Sequence, residues 1–128
     1  VGASERNEHR ESFILKENQD LLKIFTRDFS FIAEDHMSQI FNLLAKHKIK
    51  VSLMQNSAIS LALCLEDKFD VLDELNAELQ ESFETQIAKN VSLFTVRNAK
   101  LENIDQFYRE KNVLLEQIAK NTLQMVIQ

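Results

Sequence analysis

The residues from Glu34 to Glu66 constrain the fold more than any other part of the chain, because their hydrophobic period changes midway. Apolar side chains first recur every three or four residues, which predicts an amphipathic helix; they are Met37, Ile40, Phe41, Leu44 and Ala45. From Ile49 the period becomes two, which predicts a strand, and a second alternating run follows the polar turn Gln55–Ser57. The stretch therefore predicts a helix followed by a β-hairpin.

Elements on both sides of this stretch complete an α+β pattern. Short alternating runs predict strands at Ser12–Lys16 and Leu21–Thr26, and the hairpin is followed by a predicted helix over about Lys68–Phe83 and a strand at Thr85–Val91. The order βαββαβ is typical of a ferredoxin-like antiparallel sheet with helices on one face. We therefore predict one such unit over residues 21–91.

The C-terminal part of the chain predicts an incomplete second copy of this unit. Its predicted elements are a strand at Ser92–Arg97, a helix marked by Leu101, Ile104 and Tyr108, and strands at Val113–Ile118 and Thr122–Ile127. The second helix and the last strand of a full unit are missing, and Ser12–Lys16 is the available candidate for the strand. We expect a discontinuous second domain of residues 12–17 plus 92–128, preceded by a disordered arm at 1–11.

Turn residues are unusual in this chain. It has one glycine and no proline, whereas average usage would give about 9 glycines and 6 prolines. Its turns must therefore use Asn, Asp, Ser and Lys, as at Asn56–Ser57, Lys89–Asn90 and Lys120–Asn121. Glycine-rich phosphate loops are absent, which excludes the familiar nucleotide-binding motifs.

Charge and cysteine content exclude further classes. The net charge of −5 does not favour nucleic acid or anionic membranes, and no run approaches the ~18 apolar residues of a membrane helix. The single Cys64 excludes an internal disulfide, so a reducing, cytoplasmic setting is the default. His36 and His47 lack a second ligand at matching spacing, so no metal site is predicted. No nucleophile–base pair indicates a catalytic site.

Two segments resemble the regulatory region of aspartokinases, which is a tandem pair of ACT domains. They are KENQDLLKIFTRDF and MSQIFNLLAKHKIKVSLMQNSAISLALCLE, and VLLEQIAKNTLQMVIQ near the C-terminus extends the resemblance over residues 12–128. The resemblance implies that Phe13–Lys16 completes the second ACT unit. It also implies a separate N-terminal kinase domain, which would use ATP and Mg to phosphorylate aspartate, whereas this segment itself needs no cofactor. It further implies a homodimer formed by pairing of ACT units, with lysine or threonine bound where they pair.

The resemblance also implies an effector site. Backbone groups at the start of the first helix map to Asp35, His36 and Met37, and a residue pair at the end of the second strand maps to Val51 and Ser52. The hairpin turn contributes polar contacts that map to three further residues, Asn56, Ser57 and Ala58.

Three of these positions depart from the pattern that the resemblance implies. The family often has glycine where Asp35 stands, lysine-sensitive members have aspartate where Ser52 stands, and the family's Ser-Glu pair in the turn is Ser57–Ala58 here. Two hypotheses follow: an amino-acid-sensing regulatory module, or a ligand-free module that only dimerises its parent enzyme. Without a ligand, Asn56 and Ser57 would simply close the hairpin and Ser52 would be a solvent-facing strand residue.

Overall fold

Two helices pack their apolar stripes against one face of an antiparallel sheet in this computed structural model, which describes residues 11–98 and 112–128. The described helices are α1 (Glu34–Lys46) and α2 (Leu72–Leu79). The described strands are β1 (Ser12–Thr26), β2 (Lys50–Asn56), β3 (Ser60–Glu66), β4 (Phe83–Arg97), β5 (Val113–Ala119) and β6 (Thr122–Ile127). The chain divides into two units, one of residues 19–89 and one that includes 11–18 and 90–128.

The unit of residues 19–89 has the βαββαβ order that the sequence predicts. Its strand order is β2-β3-β1-β4, and the ladders of β3 with β1 and with β2 are antiparallel. Leu22 and Leu63 face each other directly at the centre of the β1–β3 ladder, and both are fully buried. The core that surrounds them comes from the sheet and both helices: Ile24, Ile40, Leu44, Ile49, Leu61, Leu65, Leu72, Leu75, Leu79 and Phe83. The predicted α+β, ferredoxin-like fold is confirmed.

The described elements of the other unit are the first part of β1, the last part of β4, and the hairpin of β5 and β6. Its strand order is β1-β4-β6-β5, and its small buried cluster consists of Val96, Leu123 and Met125. Phe13 of β1 stacks on Phe94 of β4 with ring centroids 6.0 Å apart. The helix predicted around Leu101–Tyr108 and residues 1–10 of the predicted arm lie outside the described residues.

Four of the predicted strands form only two strands in the structure, because each of two consecutive pairs is continuous. β1 runs through the polar residues that read as a loop, and β4 runs through Lys89–Asn90, so the turn predicted there is wrong. Asn18 and Asn90 interrupt the regular strand geometry, with φ of 57° and 61°. Asparagine tolerates this left-handed region better than most residues, so each strand continues past an irregular position instead of ending there.

α2 is shorter than the predicted helix over Lys68–Phe83. Asp67 accepts the backbone N–H of Val71 at Oδ1 (3.0 Å) and that of Leu72 at Oδ2 (2.8 Å), so its carboxylate satisfies two donors at the helix start. The helix therefore begins only at Leu72. Phe69, expected on the apolar stripe, lies before it and is 63% exposed, whereas Phe83 begins β4 and is buried.

The predicted use of Asn, Asp and Lys in place of glycine is confirmed in part. In residues 11–98 and 112–128, φ is positive at Asn18, Phe29, Lys48, Asp70, Asn90, Asn98 and Lys120. Lys120 belongs to the predicted turn Lys120–Asn121, which closes the β5–β6 hairpin between Ala119 and Thr122. Phe29 is the exception, because an aromatic residue is not a usual choice for this conformation.

Glu78 joins the two helices through two basic side chains at the C-terminal end of α1. Its carboxylate accepts hydrogen bonds from Lys46 Nζ at 2.9 and 3.1 Å, and His47 Nε2 lies 3.0 Å from Oε1. The hydrogen bond from Lys46 is the main cause that holds the pKa of Glu78 below its ordinary value of 4.5, and the contact with His47 lowers it further. Lys46 also complements the dipole at the end of α1.

We expect the substitution Glu78→Gln to change how stability depends on pH. A carboxylate whose pKa is lower in the folded state contributes stability above its unfolded pKa and loses that contribution as the pH falls through the folded pKa. The difference in unfolding free energy between wild type and Glu78→Gln should therefore be positive at about pH 7 and shrink towards about pH 3. Urea unfolding across this range checks it, with Glu84→Gln as the control for removing an exposed carboxylate. A difference that stays constant down to about pH 3 would contradict the assignment.

Candidate functional site

A short ordered loop leads from β1 into α1. Thr26 Oγ1 donates to the backbone oxygen of Ser30 (2.9 Å), and Asp28 Oδ1 accepts the backbone N–H of Ser30 (3.1 Å). Hydrogen bonds from the Ser30 side chain and backbone hold the pKa of Asp28 below its usual value. Local polar contacts therefore give residues 27–33 a defined path to the helix.

The backbone N–H groups at the start of α1 differ in whether the helix already provides them with an acceptor. Met37 N–H donates to Ala33 O (3.1 Å), the first bond of the helix, and the Met37 side chain packs on the core. The N–H groups of Asp35 and His36 lie within the first turn, where helix geometry supplies no carbonyl partner within the helix. Of the three predicted backbone contacts, the N–H of Met37 is already used by the helix, whereas helix geometry provides no intrahelical acceptor for those of Asp35 and His36.

The hairpin turn lies beside this helix start. Ile32 N–H donates to Ala58 O (3.2 Å), which ties the loop before α1 to the turn between β2 and β3. Ser57 closes the turn itself: its N–H donates to Ser60 O (2.9 Å), and the two serine hydroxyl oxygens are 2.6 Å apart. The structure therefore brings Ala58, with Asn56 and Ser57, to the same end of the sheet as Asp35 and His36.

Val51 and Ser52 lie elsewhere. β2 extends to Asn56, so the pair is near the start of this strand and not at its end as expected. Four residues separate Ser52 from Asn56, which is about 13 Å along a strand. The structure does not bring Val51 and Ser52 to the hairpin turn, because the strand between them is extended.

A β-bulge at Ser52 also changes which side chains share a face. Val51 pairs with Leu65 and Leu53 pairs with Cys64, so one extra residue lies between two consecutive pairs. Val51 packs on the helix side with the core, whereas Leu53 is buried on the opposite face with Cys64. The expectation that Ile49, Val51 and Leu53 share one face is therefore wrong for Leu53.

Gln19 is the residue that the sequence pattern did not indicate. Its Oε1 accepts the Ser52 hydroxyl at 2.8 Å, and Cys64 Sγ lies 3.9 Å from the same oxygen. All three are on the face of the sheet opposite the helices, and Gln19 is only 3% exposed. The period-two spacing of Gln19 and Leu21 along β1 indicates that both side chains lie on one face of the sheet. The polar residues around Gln19 obscured this pattern in the sequence. The Ser52 hydroxyl is thus engaged in a structural hydrogen bond, and Ser52 is not solvent-facing.

The helix start and the hairpin turn together, which we call the loop–turn site (Ile32–Met37 and Asn56–Ala58), offer complementary chemistry for a zwitterion. Backbone N–H groups at a helix N-terminus favour a carboxylate. Glu34 and Asp35, in the first turn of α1, favour an ammonium group. In the part of the chain that the structure describes, no group of three His, Cys, Asp or Glu side chains is arranged to hold a metal ion.

Solved structures with the same fold come from aspartate kinases. Escherichia coli aspartokinase III in complex with lysine and aspartate is 20% identical with a TM-score of 0.71, and the match covers 90% of this chain and 28% of that one. The regulatory subunit of aspartate kinase from Thermus flavus is 13% identical with a TM-score of 0.63, and the match covers 90% and 86%. Clostridium acetobutylicum aspartate kinase is 17% identical with a TM-score of 0.70, covering 91% and 30%.

These matches show that the chain has the tandem ACT fold of aspartokinase regulatory domains. The chain spans under a third of the length of the E. coli enzyme and most of the length of the T. flavus regulatory subunit. No protein-family model and no curated protein sequence matches it. Within the described residues, no helix is long and apolar enough to cross a membrane.

We expect Gln19 and Ser52 to be energetically coupled. Replacing Gln19 with Ala removes the acceptor of a half-buried hydroxyl, and such a loss costs about 1–3 kcal/mol of unfolding free energy. Once Ser52→Ala has removed the hydroxyl, Gln19→Ala should cost less, with a coupling energy of about 1 kcal/mol. Urea unfolding of the four proteins in this cycle measures it, and Ser12→Ala, at an exposed position, is the control for a lost serine hydroxyl. Additive effects would show that the hydrogen bond contributes nothing to stability.

Proposed function

We propose that this chain is the amino-acid-sensing regulatory module of an aspartate kinase. The observation that carries the proposal is the hydrogen bond from Ile32 N–H to Ala58 O, because it joins the helix start and the hairpin turn into one site. Backbone N–H groups there favour the carboxylate of an α-amino acid, and the acidic side chains there favour its ammonium group. The E. coli enzyme of the same fold was solved in complex with lysine and aspartate, which supports an amino acid as the ligand class.

The regulation would be a coupling free energy between this site and a kinase domain that holds ATP and Mg. An effector shifts the equilibrium only by its difference in affinity for the two states, and such couplings are about 1–3 kcal/mol. The parent enzyme would phosphorylate aspartate in the cytoplasm, and the module would act as its feedback sensor in amino-acid biosynthesis. Asp35 and Asn56 are the side chains that we expect to contact the effector, through the ammonium group and the carboxylate respectively.

Lysine and threonine place different demands on this site. The ε-ammonium group of lysine needs a second acidic partner, and Ser52 supplies neither a charge nor a free hydroxyl hydrogen. Glu34 is the remaining exposed carboxylate of the first turn. Threonine needs only a hydrogen-bond partner for its hydroxyl, which the exposed polar turn offers. The residues therefore fit threonine at least as well as lysine.

A second candidate function is assembly without a ligand. In the second unit, four large apolar side chains are exposed among the described residues 11–18, 90–98 and 112–128: Phe13, Ile14, Leu15 and Ile118. Apolar surface of this kind favours pairing with a second copy. The side chain of Ser57 already contacts that of Ser60 within the hairpin turn. The turn is therefore ordered without a ligand, which fits this alternative.

Titration calorimetry with lysine, threonine and methionine tests the sensing function. We expect heat of binding with one of the three, and about tenfold weaker binding for Asn56→Ala, because a hydrogen bond to a charged group contributes about 1.5–3 kcal/mol. Asn42→Ala, at an exposed position within α1, should leave the affinity unchanged. The absence of binding heat and of a thermal shift with all three amino acids would contradict the sensing function.

Sedimentation velocity tests the assembly function. We expect a dimer at micromolar concentration, and a larger monomer fraction for Leu15→Glu, because a charge at an exposed apolar position opposes its burial. Phe69→Glu is the matched control, because Phe69 is also an exposed apolar residue (63%, against 52% for Leu15) but belongs to the unit of residues 19–89. A wild-type chain that sediments only as monomer would exclude assembly by this chain alone.

A further inference from the structure

The first helix begins with an unusual side-chain cap. His36 Nδ1 lies 3.0 Å from the backbone nitrogen of Ala33, which donates the hydrogen bond. A backbone N–H can only donate, so Nδ1 must carry the lone pair, and the ring is neutral with its proton on Nε2. Glutamate or glutamine usually makes this reach back to the residue before the helix. Ala33 has no side chain that could cap the helix in return.

The imidazole ring is held in this orientation from the other side. It packs against Phe83, the buried first residue of β4, with centroids 5.8 Å apart and an interplanar angle of 81°. One turn further along α1, Gln39 Nε2 donates to Ser82 Oγ at 3.2 Å. The ring thus lies between the loop before α1 and the beginning of β4, with Nδ1 directed at the loop.

The capped residue is adjacent to the bond that joins the loop to the hairpin turn. Ile32 N–H donates to Ala58 O, and the next backbone N–H, that of Ala33, donates to His36. Two consecutive N–H groups therefore fix the end of the loop, one to the turn and one to the imidazole. Loss of the second bond leaves the loop held to its surroundings at fewer points.

We propose that His36 is a proton-sensitive latch, which holds the end of the loop when neutral and releases it when protonated. Protonation places a hydrogen on Nδ1, so the ring can no longer accept from Ala33, and two N–H groups face each other. The positive end of the α1 dipole opposes the cation, whereas carboxylates favour it. The charged residues close in sequence to these contacts are Glu34 and Asp35 in α1, Arg27 and Asp28 in the loop, and Glu81 and Glu84 near Phe83.

The latch has a consequence for ligand affinity, which rests on the proposed function. Because the loop end forms one side of the loop–turn site, effector binding should weaken on acidification in wild type and less so in His36→Gln. The latch itself is measured in the ligand-free chain. A failure of the latch is therefore distinguishable from a failure to bind amino acids.

The test is nuclear magnetic resonance of the ligand-free chain at about pH 7.5 and at a lower pH where the ¹⁵N shifts of His36 show a protonated ring. At the higher pH we expect the ¹⁵N shifts of His36 to show an unprotonated Nδ1. Protection of the Ala33 amide against hydrogen exchange, corrected for the intrinsic pH dependence, should fall about fivefold at the lower pH, which is the size of a typical cap.

Three variants separate the latch from general effects of acid. His36→Gln keeps an acceptor that does not titrate, so its Ala33 protection should not change with pH, and His36→Ala should lack the protection at both pH values. His47→Gln controls for the histidine beside Glu78 and should behave as wild type. A proton on Nδ1 at the higher pH, or equal Ala33 protection in wild type at both pH values, would overturn the proposal.

Discussion

The burial of two helical stripes against the centre of one sheet is the interaction on which the unit of residues 19–89 depends. Leu22 and Leu63 are paired across β1 and β3 and have no exposed surface, and buried residues of both helices join the same core. Burial of side chains of this kind contributes about 1.5–3 kcal/mol each, which is more than a typical net hydrogen bond contributes. Once the stripes are buried, the positions of both helix starts and of the intervening turns follow.

The polar contacts at the edge of this core determine how each helix begins. Asp67 satisfies the donors at the start of α2 with a carboxylate, and His36 reaches back to Ala33 at the start of α1 with a ring nitrogen. The first cap uses carboxylate oxygens, whereas the second uses a ring nitrogen that accepts only while it is unprotonated. The proposed latch therefore belongs to the helix start of the loop–turn site.

The scarcity of glycine and proline links the turns to specific side chains. Positive φ values fall on Asn, Asp and Lys at six described positions, and only Phe29 breaks this pattern. The β2–β3 hairpin turn does not belong to this set, because none of residues 56–60 has a positive φ. It is held by the Ser57–Ser60 contacts and by the bond from Ile32 to Ala58.

Local periodicity was sufficient to predict α1, the β2–β3 hairpin and the β5–β6 turn, because each depends on residues close in sequence. It was insufficient where a distant partner decides the outcome. Glu17–Asp20 reads as a loop, yet β1 continues through it, and Gln19 accepts a hydrogen bond from Ser52, thirty-three residues away. The helix over Lys68–Phe83 was predicted too long because the carboxylate of Asp67 takes the donors that an earlier start would use.

By itself, the sequence determined the order of elements, the apolar faces of the helices and the residue types at the turns, since these follow from side-chain spacing and backbone preference. The tertiary structure alone decided which predicted site residues meet. The bulge at Ser52 places Leu53 on the opposite face of the sheet from Val51, and the length of β2 keeps Val51 and Ser52 apart from the hairpin turn. The same packing sets the His36 ring between Ala33 and Phe83, because the side chain's partner depends on where β4 begins in space.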